Sequence, residues 1–129
     1  MANTKNIKPK ILEAKGEMDY DYVNDILFFK VKNREYNFSI EFQSMVIDID
    51  KKQFVVGIQI FDASKFLGIN KINLREIPKW RFEAKIDEGI IELRLNYQLQ
   101  IRNKIFEKSP IIIQENKSGL PSPQRVCTI

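Results

Sequence analysis

Asp48, Asp50 and Asp62 are the residues whose type and spacing come closest to a metal site in this sequence. Asp48 and Asp50 stand two positions apart, and residues with that spacing on a β-strand project to the same face. Together they could hold a hard cation such as Mg²⁺, which prefers oxygen ligands. Both aspartates also border a polar turn, where Asp commonly accepts hydrogen bonds from the backbone. Because two carboxylates supply fewer oxygens than a cation usually needs, we favour this structural interpretation.

The hydroxyl of Ser64 is the candidate nucleophile, with Lys65 or Asp62 as its activating group. Adjacent residues on a helix do not face each other, so Lys65 is poorly placed to take a proton from Ser64. We favour a helix cap, in which Asp62 or Ser64 accepts backbone N–H bonds in the first helical turn. The chain has no histidine, the commonest general acid or base near neutral pH. We therefore predict no catalytic residue and no cofactor, and lean against an enzyme.

Basic side chains in the second half of the chain offer a different chemistry, the binding of nucleic acid. The formal charge is +4, and residues 65–129 carry twelve basic against seven acidic side chains. Lys and Glu alternate in this region, which is typical of a solvated face. Nucleic-acid binding through a basic strand face remains the alternative function. Its predicted contact residues are Arg81, Lys85, Arg94, Arg102 and Lys104.

The elements that position these residues are predicted to be β-strands. Apolar and polar residues alternate in "IELRLNYQLQIR", "WRFEAKI" and "YNFSIEF", a period of two that favours antiparallel strands with one wet face. The segments "DILFFKV", "MVIDID" and "FVVGIQIF" are rich in β-branched and aromatic residues, and short polar connections between them predict hairpins. Gly57 lies inside one of these strands, where a glycine indicates a bulge or a close contact.

One or two short helices are predicted near residues 63–77. The segment "SKFLGINKINLREIP" has apolar residues at helical spacing, with Gly68 weakening its middle and Pro78 closing it. The fold class is therefore mainly β, bordering on α+β, with antiparallel sheets that form a sandwich or a partly closed barrel of about seven strands. We expect one domain over residues 1–129. It comprises an N-terminal arm (1–16), paired hairpins (17–65), the helical segment with added strands (66–117) and an extended tail (118–129).

The composition of the sequence indicates where in the cell the protein works. Hydrophobic residues make up 43% and charged residues 29%, as in ordinary soluble proteins. No apolar run approaches the ~18 residues of a membrane-spanning helix, and the start "MANTKNIKPK" lacks the apolar region of a secretory signal, so we predict a cytoplasmic protein with no membrane partner. Cys127 is the single cysteine, which excludes an intrachain disulfide and leaves an intermolecular one open.

The segments "YDYVNDILFFKV" and "SMVIDIDKKQFVVGIQIFDASK" resemble the small prokaryotic domain-of-unknown-function family numbered 2283. The resemblance covers about residues 18–65, and Gln53, Gln59 and Phe61 depart from the family pattern. It implies a small antiparallel sheet in an intracellular prokaryotic protein, and no activity or catalytic residue. The matching positions are Tyr20, Asp21, Asp25, Leu27, Val46, Ile47, Asp48, Asp50, Val56, Gly57, Ile58, Ile60, Asp62, Ala63 and Ser64.

Three functions follow from these patterns. The first is a non-enzymatic protein-interaction or regulatory module, because strands with wet faces leave sheet edges that a second copy or another protein can pair. A homodimer is the expected form. The second is a nucleic-acid-binding protein that uses the basic strand face. The third is a carboxylate-based metal-dependent hydrolase with Asp48, Asp50 and Asp62 as ligands.

Overall fold

The structure is a computed structural model that describes residues 10–13, 16–42, 44–87, 89–115 and 125–128. These residues include eleven strands and two short helices. In chain order they are β1 (Lys10–Glu13), β2 (Gly16–Asp21), β3 (Ile26–Val31), β4 (Phe38–Phe42), β5 (Met45–Ile49), β6 (Val55–Ile60), α1 (Ala63–Leu67), α2 (Lys71–Arg75), β7 (Trp80–Asp87), β8 (Ile90–Ile101), β9 (Lys104–Lys108), β10 (Ile111–Glu115) and β11 (Arg125–Thr128).

The strands form two sheets. The first sheet has the order β2-β3-β6-β5-β4, with every pair antiparallel. The second sheet has the order β1-β11-β7-β8-β10, and β9 also pairs with β8. All of its pairs are antiparallel except β1 with β11. The predicted hairpins of the first half are therefore confirmed.

The two sheets enclose one apolar core. Alternate residues of β8 are buried, as the period of two predicts, and these are Ile91, Leu93, Leu95, Tyr97 and Leu99. From the first sheet, Phe29 stacks on Phe82 of the second sheet with ring centroids 5.5 Å apart. This contact places the facing sides of both sheets in one core. The mainly β fold class is confirmed, and the described strands form two open sheets with no closed barrel.

The helical segment lies between β6 and β7 in the chain. Gly68 ends α1 with a left-handed backbone (φ 68°), which is why the segment divides into two helices. The side chain of Asn70 then caps α2 by accepting a hydrogen bond from the backbone N–H of Asn73 at 2.9 Å. Leu74 of α2 is buried in the core. Two short helices within residues 63–77 agree with the sequence prediction.

The described residues form eleven strands, where the sequence predicted about seven. The strands β1, β9, β10 and β11 account for the difference. Every residue of β9 is exposed, so its sequence carries no alternation between apolar and polar positions. Strands β1 and β11 lie within the segments predicted as an arm and an extended tail, and Cys127 stands on β11 in register with Ala84. No helix in the described ranges is long and apolar enough to cross a membrane.

Candidate functional site

Tyr20, Asp25 and Ser64 form a hydrogen-bonded cluster at one end of the first sheet, which we call the Asp25 clasp. The Tyr20 hydroxyl donates to Asp25 Oδ1 at 2.6 Å, and the Ser64 hydroxyl donates to Asp25 Oδ2 at 2.6 Å. The backbone N–H of Ser64 also donates to Asp25 Oδ1 at 3.0 Å. These bonds join the turn between β2 and β3 to the start of α1, although 39 residues separate Asp25 from Ser64.

The clasp corrects the predicted helix cap. Asp62 occupies the N-cap position of α1, but its backbone is left-handed (φ 49°) and its side chain makes no capping hydrogen bond. Ser64 donates its hydroxyl proton to Asp25 instead of accepting a backbone N–H. Asp25 performs the capping role from outside the helix, since its carboxylate binds the Ser64 N–H and its carbonyl oxygen binds the Ala63 N–H at 3.0 Å.

Hydrogen bonding sets the charge states in the clasp. Burial by itself would raise the pKa of Asp25, but the bonds from Ser64 and Tyr20, with the nearby charge of Lys71, hold that pKa below its ordinary value. Burial, followed by the hydrogen bond to Asp25, raises the pKa of the Tyr20 phenol far above its ordinary value. Asp25 is therefore an anion and Tyr20 a neutral donor across the physiological pH range.

A second layer of contacts surrounds the turn between β2 and β3. The Tyr22 ring lies 4.6 Å from Lys71 Nζ and 4.7 Å from Arg75 Cζ, both of which stand on α2. Its ring also meets the Tyr20 ring edge-on at 6.4 Å. Asn24 bonds the Asp21 carboxylate at 2.8 Å and lowers the pKa of Asp21. The turn is thus held against both helices.

The chemistry of the clasp is that of a structural support. A general base near neutral pH needs a pKa close to the working pH, whereas the pKa of Asp25 is depressed. Lys65, the candidate activator that the sequence already disfavoured, makes no hydrogen bond to Ser64 in the described part of the chain, and the Ser64 hydroxyl is directed to Asp25. A carboxylate that bonds a helix N-terminus and two hydroxyls instead fixes the position of α1.

Asp48 lies on β5, directly opposite Gly57 of β6. Its Oδ1 accepts the Ser39 hydroxyl proton at 2.6 Å. Its side chain covers Gly57, where an added Cβ would stand 2.8 Å from Asp48 Oδ2. The pairing of β5 with β6 also shifts register between Asp48 and Ile49. Both reasons predicted for a glycine in this strand, a bulge and a close contact, are therefore present.

Asp50 organises the turn between β5 and β6. It is buried, at 5% exposure, and its Oδ2 accepts a hydrogen bond from Arg34 Nε at 2.8 Å. Its Oδ1 accepts the backbone N–H groups of Lys52 and Phe54 at 2.9 and 3.0 Å. The carboxylate therefore binds the backbone of its own turn, as the structural interpretation of this residue predicts.

The three aspartates predicted for a metal site are spread over the first sheet. Asp50 precedes β6 and Asp62 follows it, so the strand of about 20 Å separates them. Within the described ranges no three His, Cys, Asp or Glu side chains form a group that could hold a metal ion. The hydrolase hypothesis stays a prediction, and the arrangement of these residues gives it no added support.

The five predicted nucleic-acid contacts lie on the second sheet and its β8–β9 turn. Arg81 and Arg94 are exposed on β7 and β8, and Arg102 and Lys104 are exposed at the turn. Lys85 forms an ion pair with Glu92 across β7 and β8 at 3.5 Å. Arg94 stands in register with Glu83. Acidic residues thus alternate with the basic ones on this face, and the nucleic-acid interface stays a prediction.

The sequence reasoning missed two features. The Asp25 clasp was hidden because its residues are far apart in the chain, although Tyr20, Asp25 and Ser64 all belong to the positions that carry the family resemblance. The other feature is a cleft beside Trp80 and Tyr97, whose rings lie 4.5 Å apart. The alternation of β7 and β8 placed both rings in the core and gave no sign of a cleft.

Comparisons with known proteins match this chain to a family of unknown function and to two relatives. Residues 17–64 match the family described as "Protein of unknown function (DUF2283)". A Methanosarcina mazei protein named "Putative hypoxanthine phosphoribosyltransferase" is 31% identical over 103 residues, which cover 80% of this chain and 84% of that protein. An uncharacterized protein of Methanocaldococcus jannaschii is 31% identical over 107 residues, covering 82% of this chain and 92% of the relative. No solved structure matches.

Proposed function

This chain belongs to the DUF2283 family of proteins of unknown function, and from that premise we propose that it is a non-enzymatic interaction module that works as a homodimer inside the cell. The observation that carries the proposal is a strand of the second sheet that has exposed isoleucines and, among the described residues, no strand on its outer side. We place the interface on β10, which stands at the end of the sheet order.

The edge consists of β9 and β10, which follow one another along the same side of β8. The Leu95 N–H donates to the Pro110 carbonyl oxygen at 3.1 Å. Backbone groups of an antiparallel strand alternate in direction. Those of Pro110 and Ile112 therefore face β8, and those of Ile111 and Ile113 face away from it. Pro110 lacks an N–H only on the side of β8, so it leaves the donors of the outer edge intact.

Three isoleucines on this edge are exposed to water, among charged side chains such as Lys104 and Glu107 of β9. Ile111 is 48% exposed, Ile113 is 62% exposed and Ile105 on β9 is 64% exposed. A sheet edge with exposed apolar residues favours pairing with another chain, and proteins that stay monomeric usually charge, cover or distort such an edge. Pairing with a second copy bonds the outward backbone groups, which have no strand partner among the described residues, and covers part of the exposed isoleucine side chains.

The proposed pairing is antiparallel and centred on Ile112. In this register Ile111 lies opposite Ile113 of the partner subunit, and Ile113 lies opposite Ile111 of the partner subunit. The same surface serves both copies, as a two-fold interface requires. Because the backbone groups of Ile111 and Ile113 point outward, the two edges join the second sheets into one continuous sheet.

Analytical ultracentrifugation over a range of concentrations tests the proposal. We expect the wild-type protein to sediment as a dimer and the double variant Ile111→Lys/Ile113→Lys to sediment as a monomer with an unchanged far-UV spectrum. Ile72→Lys is the matched control, because Ile72 is an exposed isoleucine on α2, away from the edge. A monomeric wild-type protein, or a double variant that remains dimeric, would contradict the interface.

An assay with hypoxanthine and a phosphoribosyl donor tests the non-enzymatic part. Its substrates are those that the name of the Methanosarcina mazei relative implies. We expect no turnover by the purified protein. Turnover that is abolished by a substitution in this chain would show an enzyme and overturn that part of the proposal, while leaving the sedimentation result to judge the dimer.

Nucleic-acid binding is the alternative, and the exposure of Arg81 and Arg94 on one sheet favours it. Contacts to phosphates are strongest at low salt, so a gel-shift titration at about 50 mM salt is the most sensitive test. We expect no shift if the protein is a protein-interaction module. A shift that weakens steeply with salt and is lost in Arg81→Gln/Arg94→Gln would favour the alternative.

A further inference from the structure

A cleft of about 720 Å³ lies across three neighbouring strands of the second sheet. Its walls come from the start of β7, the middle of β8 and the end of β9. This volume falls in the range of sites that take small molecules. The isoleucines of the proposed dimer edge do not line the cleft, whereas the end of β9, which belongs to that edge, does.

The charges around the cleft are unbalanced. Lys79, Arg81 and Lys108 line it, and none of the three forms an ion pair with a described residue. Glu107 is the one acidic residue among the lining side chains, and it accepts a hydrogen bond from Gln98 Nε2 at 3.2 Å. Three cations facing one carboxylate leave a net positive charge that suits a doubly charged anion.

Trp80 supplies a second and independent observation. Its indole Nε1 is buried and has no hydrogen-bond partner within the described residues. Buried polar groups are nearly always paired, so an unpaired buried N–H requires an explanation. Trp80 lines the cleft, beside Tyr97 at a ring distance of 4.5 Å. Because Nε1 is buried, the indole must turn toward the cleft before a ligand oxygen there can supply the missing acceptor.

We propose that this cleft binds a small molecule that carries a phosphate group. Lys79, Arg81 and Lys108 neutralise the phosphate, whose charge of about −1.5 to −2 at pH 7 matches their excess. Arg81 provides the forked N–H groups that suit phosphate oxygens. The Trp80 indole donates its N–H to a ligand oxygen. The phosphate can be a free ion or an ester of an organic molecule, since the chemistry of recognition is shared.

Tryptophan fluorescence tests the proposal directly, because Trp80 is the only tryptophan of the chain. The full-length protein is titrated with inorganic phosphate and, in parallel, with adenosine 5′-monophosphate. We expect a saturable change in emission with at least one of the two probes. Tighter binding of the nucleotide would identify an organic phosphate as the ligand class, and equal binding would identify the free ion.

Charge variants establish the position of the site. In Lys79→Gln/Arg81→Gln/Lys108→Gln we expect the apparent Kd to rise at least tenfold, with an unchanged thermal unfolding midpoint. Arg94→Gln is the matched control, since Arg94 is exposed on the same sheet and does not line the cleft, and its Kd should equal that of the wild-type protein. Titration calorimetry of Trp80→Phe, which removes the donor and keeps a ring, should show weaker binding without relying on fluorescence.

Three results would overturn the proposal. The first is the absence of any saturable signal with either probe in both fluorescence and calorimetry. The second is an equal loss of affinity in the triple variant and in Arg94→Gln, which would indicate diffuse attraction to a basic surface. The third is binding of a single-stranded oligonucleotide without any binding of the two small probes, which would assign the basic residues to nucleic acid.

Discussion

Gly57 lies under the side chain of Asp48, its cross-strand neighbour in the first sheet. A Cβ at position 57 would stand 2.8 Å from Asp48 Oδ2 and 3.3 Å from Asp48 Cβ. The Asp48 carboxylate cannot simply rotate away, because its other oxygen accepts the Ser39 hydroxyl proton at 2.6 Å. The glycine therefore allows β5 and β6 to pair while Asp48 stays bonded to Ser39 on β4.

Gly57→Ala should destabilise the protein. The methyl group displaces Asp48 and breaks its bond to Ser39, at a cost that exceeds the small gain from a less flexible unfolded chain. We expect the free energy of unfolding to fall by roughly 1 to 2 kcal/mol, measured by urea denaturation. Adding Asp48→Ala should recover part of the loss, because the crowding group is then absent.

Gly68→Ala is the matched comparison for this prediction. Nothing lies within 4 Å of a Cβ added at Gly68, so its cost comes only from its left-handed backbone. The effects of Asp48→Ala and Gly68→Ala on the free energy of unfolding should therefore be additive. If Asp48→Ala gave no recovery in the Gly57 variant, contact with Asp48 would not be the cause of its instability.

The sequence predicted the requirement at Gly57 but not the group that imposes it. A glycine inside an apolar strand points to a bulge or a close contact, and both are found. Which residue stands opposite Gly57 depends on the register of β5 and β6. The sequence of the turn between these strands does not define that register. The same limit hid the Asp25 clasp, whose hydrogen bonds connect residues 39 positions apart.

Asp25→Asn should destabilise the protein at neutral pH and should make its stability less sensitive to acidic pH. Asparagine accepts the left-handed backbone of Asp25 (φ 56°), so the substitution removes the charge and keeps the turn. The bonds from Tyr20 and Ser64 lose their charged acceptor, and we expect the free energy of unfolding to fall by about 1 to 3 kcal/mol. Thermal or urea unfolding at pH 7 measures this loss.

The acid dependence follows from the pKa of Asp25. Its pKa is lower in the folded protein than the ordinary value near 4, so the folded state favours the carboxylate. This contribution is fully present above that ordinary value and disappears as the pH falls through the folded-state pKa. Wild-type stability should therefore fall below about pH 4 more steeply than that of Asp25→Asn. Identical acid profiles would contradict this assignment.

The sequence identified the strands of the first sheet and the central pair β7 and β8 of the second sheet, and it missed the four other strands of the second sheet. Strands such as β8 alternate cleanly because one face is buried. An edge strand such as β9 lies outside the core and shows no such pattern, and β11 lies in a segment rich in proline and glycine. Periodicity reports burial, so it is silent where strands pair without being buried.

Asp50 and Arg34 should be coupled in a double-mutant cycle. Asp50→Ala removes an acceptor of two backbone N–H groups as well as the bond from Arg34. Arg34→Met removes the bond to Oδ2 and the cation–π contact with Phe54, whose ring centre lies 5.7 Å from Arg34 Cζ, and keeps much of the packing of the side chain. We expect Asp50→Ala to lower the free energy of unfolding by about 2 to 3 kcal/mol and Arg34→Met by about 1 kcal/mol. Additive effects in the double variant would show that the pair is not coupled.

Tyr22 should stabilise the protein through its ring and not through its hydroxyl. Lys71 Nζ and Arg75 Cζ lie 4.6 and 4.7 Å from the centre of this ring, which a phenylalanine would preserve. Tyr22→Phe should leave the free energy of unfolding nearly unchanged, and Tyr22→Leu should lower it by about 0.5 to 1 kcal/mol, the range of exposed cation–π contacts. In the background of Lys71→Gln/Arg75→Gln, the difference between Phe and Leu at position 22 should shrink. A difference that stays the same in that background would assign the effect to packing against α2 and not to the two cations.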